Sequence, residues 1–297
     1  MAKLKGANIA FIGLGSIGQH MADHLYHAGA DIRAFNRTSK KLEAWIAQHP
    51  GAVAATSARD AVRDAEFVVT CVGDDNDLRE IFLGEDRLTD GLRAGSCVID
   101  HTTASDTVAV TIASAVAAAG SYFIDAPVSG GTEGAQNRTL SIMVGGTDEA
   151  FRQAKPILET YGGKINLIGP TGAGQLCKMV NQICLAGAVQ GLADGLGLAA
   201  TAGLDLDRVL QAINGGAAGS WVMTNRSSSM LTSEYPLGFA ARLMLKDLRL
   251  CVAAAGQRGL ALPVSLLIAD RYEVVVKNGR GNEDFANIFE LTESSPE

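Results

Sequence analysis

Ile9-Ala10-Phe11-Ile12-Gly13-Leu14-Gly15-Ser16-Ile17-Gly18 decides how the first half of this chain reads: an apolar run, then glycines spaced Gly-x-Gly-x-x-Gly, then helical periodicity. In a strand–turn–helix the first glycine permits the tight turn. The second lets backbone approach a pyrophosphate, and the third lets helix and strand pack closely. Phosphates then meet unpaired N–H groups at a helix N-terminus, where the macrodipole favours negative charge. Glycine-rich turns are common, so a plain structural turn competes with this reading, and context decides. A second strand, Asp31-Ile32-Arg33-Ala34-Phe35, follows the helix and ends in Asn36-Arg37-Thr38. Gly13, Leu14, Gly15, Ser16, Ile17 and Gly18 are therefore candidate dinucleotide contacts.

The end of that second strand speaks to the cofactor. An NAD site usually carries Asp or Glu about 20 residues past the glycines, accepting from the ribose hydroxyls. Asn36 is uncharged and does not repel a 2′-phosphate, while Arg37 can pair with one and lay its planar guanidinium on the adenine. Thr38 adds a hydroxyl, and Lys40 or Lys41 adds positive potential. The same residues suit the start of a solvated helix with Thr38 or Ser39 as N-cap, and the two readings are compatible. NADP(H) is expected to be preferred, with NAD(H) possible.

At 297 residues and 47% hydrophobic, the chain is long enough for two globular domains. A net charge of −7 argues against a nucleic-acid partner, which needs a basic face. Met1-Ala2-Lys3-Leu4-Lys5-Gly6 leads into the first strand without an apolar h-region, so no signal peptide is expected and the protein reads as cytoplasmic. The Asn-x-Ser/Thr triplets at Asn36, Asn137 and Asn225 then carry no glycosylation meaning. The stretch from Ile183 to Leu204 is broken by Gln190 and Asp194 and reads as a helix buried in protein rather than a membrane span. Cys71, Cys97, Cys177, Cys184 and Cys251 read as reduced thiols. His20, His24 and His27 share a helical face, but only Asp23 joins them, so no metal site is expected.

Strand and helix signals alternate onward from the glycines. Strands are expected at Phe67–Val72, Cys97–Asp100, Tyr122–Ala126, Leu140–Val144 and Lys164–Ile168, apolar enough to be buried on both faces. After Gly169-Pro170 the strand signal stops. Gly172-Ala173-Gly174 opens a helix of about thirty residues, well above the usual length, and further helical stretches start near Leu206, Phe239, Val264 and Asp284. The chain therefore reads as an α/β Rossmann domain over 1–169, with a doubly wound and mainly parallel sheet. An all-α C-terminal domain, 170–297, follows by way of a long interdomain helix. Only the last few residues look like a tail.

Three further segments carry chemistry. In Asp125-Ala126-Pro127-Val128-Ser129-Gly130-Gly131 a strand runs out into a serine and two glycines. Such a loop offers N–H groups and a hydroxyl to a carboxylate, unless it is an ordinary strand exit. In the long helix, Lys178, Asn181 and Gln182 stand at i, i+3 and i+4 and share a face that is polar among Met, Val, Leu and Ala. Near a helix N-terminus and under burial an ammonium is disfavoured, which suits Lys178 to proton transfer; a solvated surface lysine is the plain alternative. Lys246-Asp247 places two charges in an apolar helix, either as a surface pair or with one of them meeting a buried partner.

Together these motifs resemble the β-hydroxyacid dehydrogenases, the family of 3-hydroxyisobutyrate dehydrogenase, tartronate semialdehyde reductase and glyoxylate reductase. The resemblance rests on the glycine turn, Asp125 to Gly131, Gly134 to Gly146, Gly172 to Gln182 and Lys246-Asp247-Leu248, in order along nearly the whole chain. It implies hydride transfer between NADP(H) and a small carboxylate substrate, with Lys178 as general acid in reduction and general base in oxidation. Ser129, Gly130 and Gly131 would hold the substrate carboxylate, Asn181 its polar groups, and Trp221 a pocket wall. Val72, Gly73 and Thr103 match cofactor-lining positions, and Lys246 would close over the cofactor end with Asp247 in support. A homodimer or dimer-based oligomer is also implied.

Branch signals conflict. Trp221 resembles the hydroxyisobutyrate branch, whereas Gln182 after Asn181 resembles the tartronate reductases. His101-Thr102-Thr103 departs from a stretch that usually contains serine, and Asn137-Arg138-Thr139 lacks the usual glycine. Tartronate semialdehyde, glyoxylate or succinic semialdehyde reduction is thus an alternative. An imine reductase shares the fold and the Asn-Arg-Thr pattern but generally lacks the lysine at position 178. A noncatalytic NADP-binding interaction protein would not need Lys178, Asn181 and Ser129 together.

Overall fold

The first half of the chain builds a single sheet of nine strands in a computed structural model that describes residues 4–293. The leader expectation in part, and the tail, fall outside the described residues. The strands are β1 (Asn8–Ile12), β2 (Asp31–Phe35), β3 (Val53–Ala54), β4 (Phe67–Thr70), β5 (Cys97–Asp100), β6 (Tyr122–Asp125), β7 (Val128–Ser129), β8 (Leu140–Gly145) and β9 (Gly162–Gly169). Their order is β3-β2-β1-β4-β5-β6-β8-β7, with β9 also on β8. From β3 through β6 every pairing is parallel; β8 runs antiparallel to β6 and β7 and parallel to β9.

This is the mainly parallel, doubly wound arrangement that the apolar strands imply. Both faces of the central strands are covered. Ile9, Phe11, Val69 and Ile99 are buried on one side, and Ala10, Ile12, Val68 and Val98 on the other. Strand order reverses beside β1, where β2 and β4 flank it on opposite sides, and the crevice beyond such a point is where open α/β sheets bind ligands.

After β9 the helices are Ala173–Thr201, Leu206–Ile213, Trp221–Thr232, Ala241–Gln257 and Pro263–Lys277, followed by a 3₁₀ turn at Phe285–Phe289. The core of this half gathers Ala186, Val189, Met230, Met244, Leu248, Tyr272 and Phe289. By length and composition alone the helix Ala173–Thr201 could cross a membrane, yet it buries Gln175, Lys178 and Gln182 within the protein.

Several elements differ from the sequence reading: Asp148–Leu158 is a helix it did not name, Val128–Ser129 is a separate short strand, and β9, expected to be buried on both faces, has no buried residue. Trp221–Thr232 is a helix, capped by Ser220 accepting from the Met223 N–H, although its run of serines masks any apolar stripe. Gly131–Gln136 is a short helix as well. The chain divides into the units Met1–Lys178 and Met179–Glu297, later than the change of architecture at 169/170. The opening of the long helix is tied to the sheet: the N–H groups of Gly172 and Gln175 both bond the carboxylate of Asp125.

Candidate functional site

The three glycines sort by what surrounds them. A β-carbon on Gly13, whose φ is 101°, would overlap the Cys71 carbonyl oxygen, and one on Gly18 would overlap the Gly13 carbonyl oxygen. Both positions are closed by the protein's own backbone. Around Gly15 nothing lies within 4 Å of such an atom, so the protein itself does not require a glycine there and the position is open to a ligand. Among the described residues the N–H groups of Ser16 and Ile17 meet no acceptor. That of Leu14 donates to Asn36 Oδ1 at 2.9 Å. An open position with unspent donors ahead of the helix Gly18–His27 fits a dinucleotide pyrophosphate.

Asn36 therefore pins the glycine turn, and its amide nitrogen donates to the Thr38 carbonyl. Thr38 precedes the helix Ser39–Gln48 without a side-chain capping bond, so the capping alternative for its hydroxyl is not realised. Arg37 is exposed, and its Nη1 lies 2.5 Å from Asp77 Oδ1. Asp77 lies in the first turn of the helix Asp75–Leu83 that follows β4, where its other oxygen accepts from the Gly73 N–H. The sequence reading missed this carboxylate.

Behind the loop Val72-Gly73 a chain of bonds runs inward. The Val72 N–H donates to Thr102 Oγ1. Gln175, fully buried, donates to the Thr102 carbonyl at 2.7 Å and accepts from the Ala104 N–H at 3.0 Å, bracketing Thr103. The first turns of the long helix are thus bolted to the loop after β5 by Gln175 and to the end of β6 by Asp125. Neither role is visible in sequence, although a Gln in a first helical turn behind Gly-x-Gly is a usable signal. His101 is buried between the Ala126 carbonyl, 2.6 Å, and the Tyr161 hydroxyl, 2.8 Å. Burial brings its pKa down to about 4, so it is a neutral structural bridge at working pH.

Asp100 and Asp125 sit side by side in the register of β5 and β6. Burial raises Asp100 to about 7, opposed by bonds from Thr102 and Thr70 and assisted by Asp125. Burial also raises Asp125 to about 6, opposed by the N–H groups of Gly172 and Gln175. Both carboxyls therefore hold protons longer in the folded chain than in the unfolded one. Their contribution to stability is present in full below about pH 4 and is lost as pH rises to about 7, whereas neutral His101 works in the opposite sense below about pH 6.5. Asp100→Asn keeps an acceptor for Thr70 and the Thr102 N–H and carries no charge. Its stability relative to wild type should rise across that window, read as urea melts near pH 5 and near pH 8. Parallel curves would remove the raised carboxyl.

Ser129 ends the short strand β7, and Gly130 and Gly131 follow with φ of 132° and 61°. These left-handed positions turn the chain sharply beyond the serine. Lys178 lies in the second turn of the long helix and is 7% exposed, so it is a buried lysine and not a solvated surface one.

The helical unit holds the other candidates. Asn181 Nδ2 donates to Gln182 Oε1 at 2.8 Å, and Gln182 Nε2 donates to Asp247 Oδ2 at 2.7 Å. Lys246 Nζ lies 3.1 Å from the other oxygen of Asp247, which is 2% exposed. Asp247 is the charge with the buried partner, and Gln182 is the link that the sequence left unassigned. Trp221 is 53% exposed, with the Arg226 guanidinium 4.8 Å over its ring. Buried Asp284 holds Arg226 at 3.0 Å.

Residues 8–169 match the NAD binding domain of 6-phosphogluconate dehydrogenase, and residues 172–292 match the NAD-binding domain of NADP-dependent 3-hydroxyisobutyrate dehydrogenase. An uncharacterized oxidoreductase of Shewanella frigidimarina is 45% identical over 97% of this chain and 99% of its own. The NAD-dependent L-serine dehydrogenase of Pseudomonas aeruginosa is 35% identical over 95% of this chain and 97% of its own. Among solved structures, 3-hydroxyisobutyrate dehydrogenase of Mycobacterium tuberculosis with L-serine is similar at a TM-score of 0.88 and 30% identity, covering 97% of this chain and 100% of that one.

Proposed function

Since this chain belongs to the β-hydroxyacid dehydrogenases, a family of NAD(P)-dependent oxidoreductases, we propose that it interconverts a small β-hydroxyacid and its semialdehyde in the manner of 3-hydroxyisobutyrate dehydrogenase. NADP(H) is the preferred cofactor, and NAD(H) is accepted. The observation that carries this reading is the buried lysine at position 178, on a helix whose first turns are clamped by Asp125 and Gln175. Clamping fixes the backbone from which Lys178 projects, and a positioned acid or base is effective only at fixed geometry.

When bound, the nicotinamide supplies hydride chemistry at the carbinol carbon. The pyrophosphate falls to the turn from Gly13 to Gly18, and the 2′-phosphate to Arg37. Val72, Gly73 and Thr103 line the cofactor, and Lys246 serves its nicotinamide end. Ser129, Gly130 and Gly131 bind the substrate carboxylate, which fixes the hydroxyl for proton transfer at Lys178 Nζ. Asn181 orients the substrate's polar groups, and Trp221 walls the pocket. A homodimer accompanies this reading, supported by the helix Leu206–Ile213, none of whose residues is buried.

The reading is tested by oxidation of 3-hydroxyisobutyrate and L-serine, and by reduction of tartronate semialdehyde, glyoxylate and succinic semialdehyde, each with both cofactors. A free acid should outperform its methyl ester by about tenfold or more, the value of charge-assisted bonds to a carboxylate. Equal use of acid and ester would sink the hydroxyacid assignment and revive a neutral carbonyl or imine. Sedimentation of the same preparation reads the oligomer, and a monomer would remove that part.

A further inference from the structure

We infer that Asp77 is a specificity-determining residue that tempers the preference for NADP(H), by holding the Arg37 guanidinium and placing a carboxylate at the 2′-phosphate position. This rests on Arg37 being the 2′-phosphate residue. Strand order carries the argument. β2 and β4 flank β1, so the segments after them, Asn36-Arg37-Thr38 and Val72-Gly73, stand on either side of the glycine turn. Asp77 reaches from the helix Asp75–Leu83 across to Arg37, with Nη1 and Oδ1 2.5 Å apart.

The pair is lopsided. Arg37 is 76% exposed, while Asp77 is 20% exposed and fixed by the Gly73 N–H, 3.0 Å from its second oxygen. Asp77 is the stationary member, and Arg37 is the one that can swing. With an adenosine ribose bearing two hydroxyls, Arg37 remains neutralised by Asp77, and no isolated positive charge is left beside an uncharged ribose. With a 2′-phosphate, Arg37 must be shared between two anions, and Asp77 repels the newcomer. Asp77 thereby lowers the gain from the phosphate without affecting the NAD(H) complex, so one site serves both cofactors.

Asp77→Asn is the clean probe, because its amide oxygen still accepts from Gly73 while the charge is gone. The ratio of kcat/KM for NADP+ to that for NAD+ should rise about two- to fivefold, the size of an exposed charge pair. The rise should come from the NADP+ arm and shrink at high ionic strength. In an Arg37→Ala background, itself selectively poorer with NADP+, Asp77→Asn should add nothing. Asp77→Ser carries the same expectation if the Asn variant does not fold. An unchanged ratio, or the same rise without Arg37, overturns the inference and leaves the NADP(H) reading standing. Arg37→Ala that affects both cofactors equally overturns both.

Discussion

Lys178→Ala is expected to cut turnover by about 10²–10⁴-fold, the usual contribution of a positioned acid or base. NADP(H) affinity should change little, because the residues assigned to phosphates and ribose lie between Gly13 and Thr38. Lys178→Arg should not restore activity, since a guanidinium stays protonated at any working pH and cannot shuttle the proton. Cofactor titration beside steady-state kinetics on the purified variants separates the cases. Near-normal turnover of the alanine variant would move proton transfer elsewhere, with Lys246 the next candidate. Loss of cofactor binding would make Lys178 a cofactor residue.

The second large effect comes from the contrast between two glycines of one motif. Gly15→Ala should leave the unliganded fold and its melting temperature unchanged, since the added carbon meets nothing within 4 Å. It should nevertheless weaken dinucleotide binding by about tenfold or more, roughly 1.4 kcal/mol, by occupying the space of the pyrophosphate. Gly18→Ala should do the reverse. Its methyl overlaps the Gly13 carbonyl oxygen, so the turn must shift. The cost is about 1–3 kcal/mol of stability, as for other overpacked sites, with binding lost as a consequence. Thermal melts and calorimetric titration of NADP+ read the two separately. Equal destabilisation by both substitutions would mean that the motif is merely a packed turn.

That contrast also marks how far sequence reading reaches. Glycine spacing, the strand before it and the helix after it are all set by neighbours within a few residues, so the turn was legible. The same holds for the run of Ser129, Gly130 and Gly131 at the end of β7 and for the polar face of Lys178, Asn181 and Gln182, where 3.6-residue periodicity does the work. The helix Trp221–Thr232 was not legible, because its serines carry no apolar period and its signal is the Ser220 cap alone.

By itself the sequence determined a dinucleotide turn on an α/β sheet, a long helix bearing a lysine, and helices thereafter. Tertiary structure alone decided which polar groups meet. Arg37 finds Asp77 across 40 residues, and Gln182 finds Asp247 across 65. The Asp125 carboxylate takes the N–H groups at the head of the long helix. Periodicity and turn chemistry depend on adjacent residues and survive in a one-dimensional string. The partner of a buried or tethered charge depends on which segments strand order brings together, and that order is settled only when the whole sheet buries its two faces.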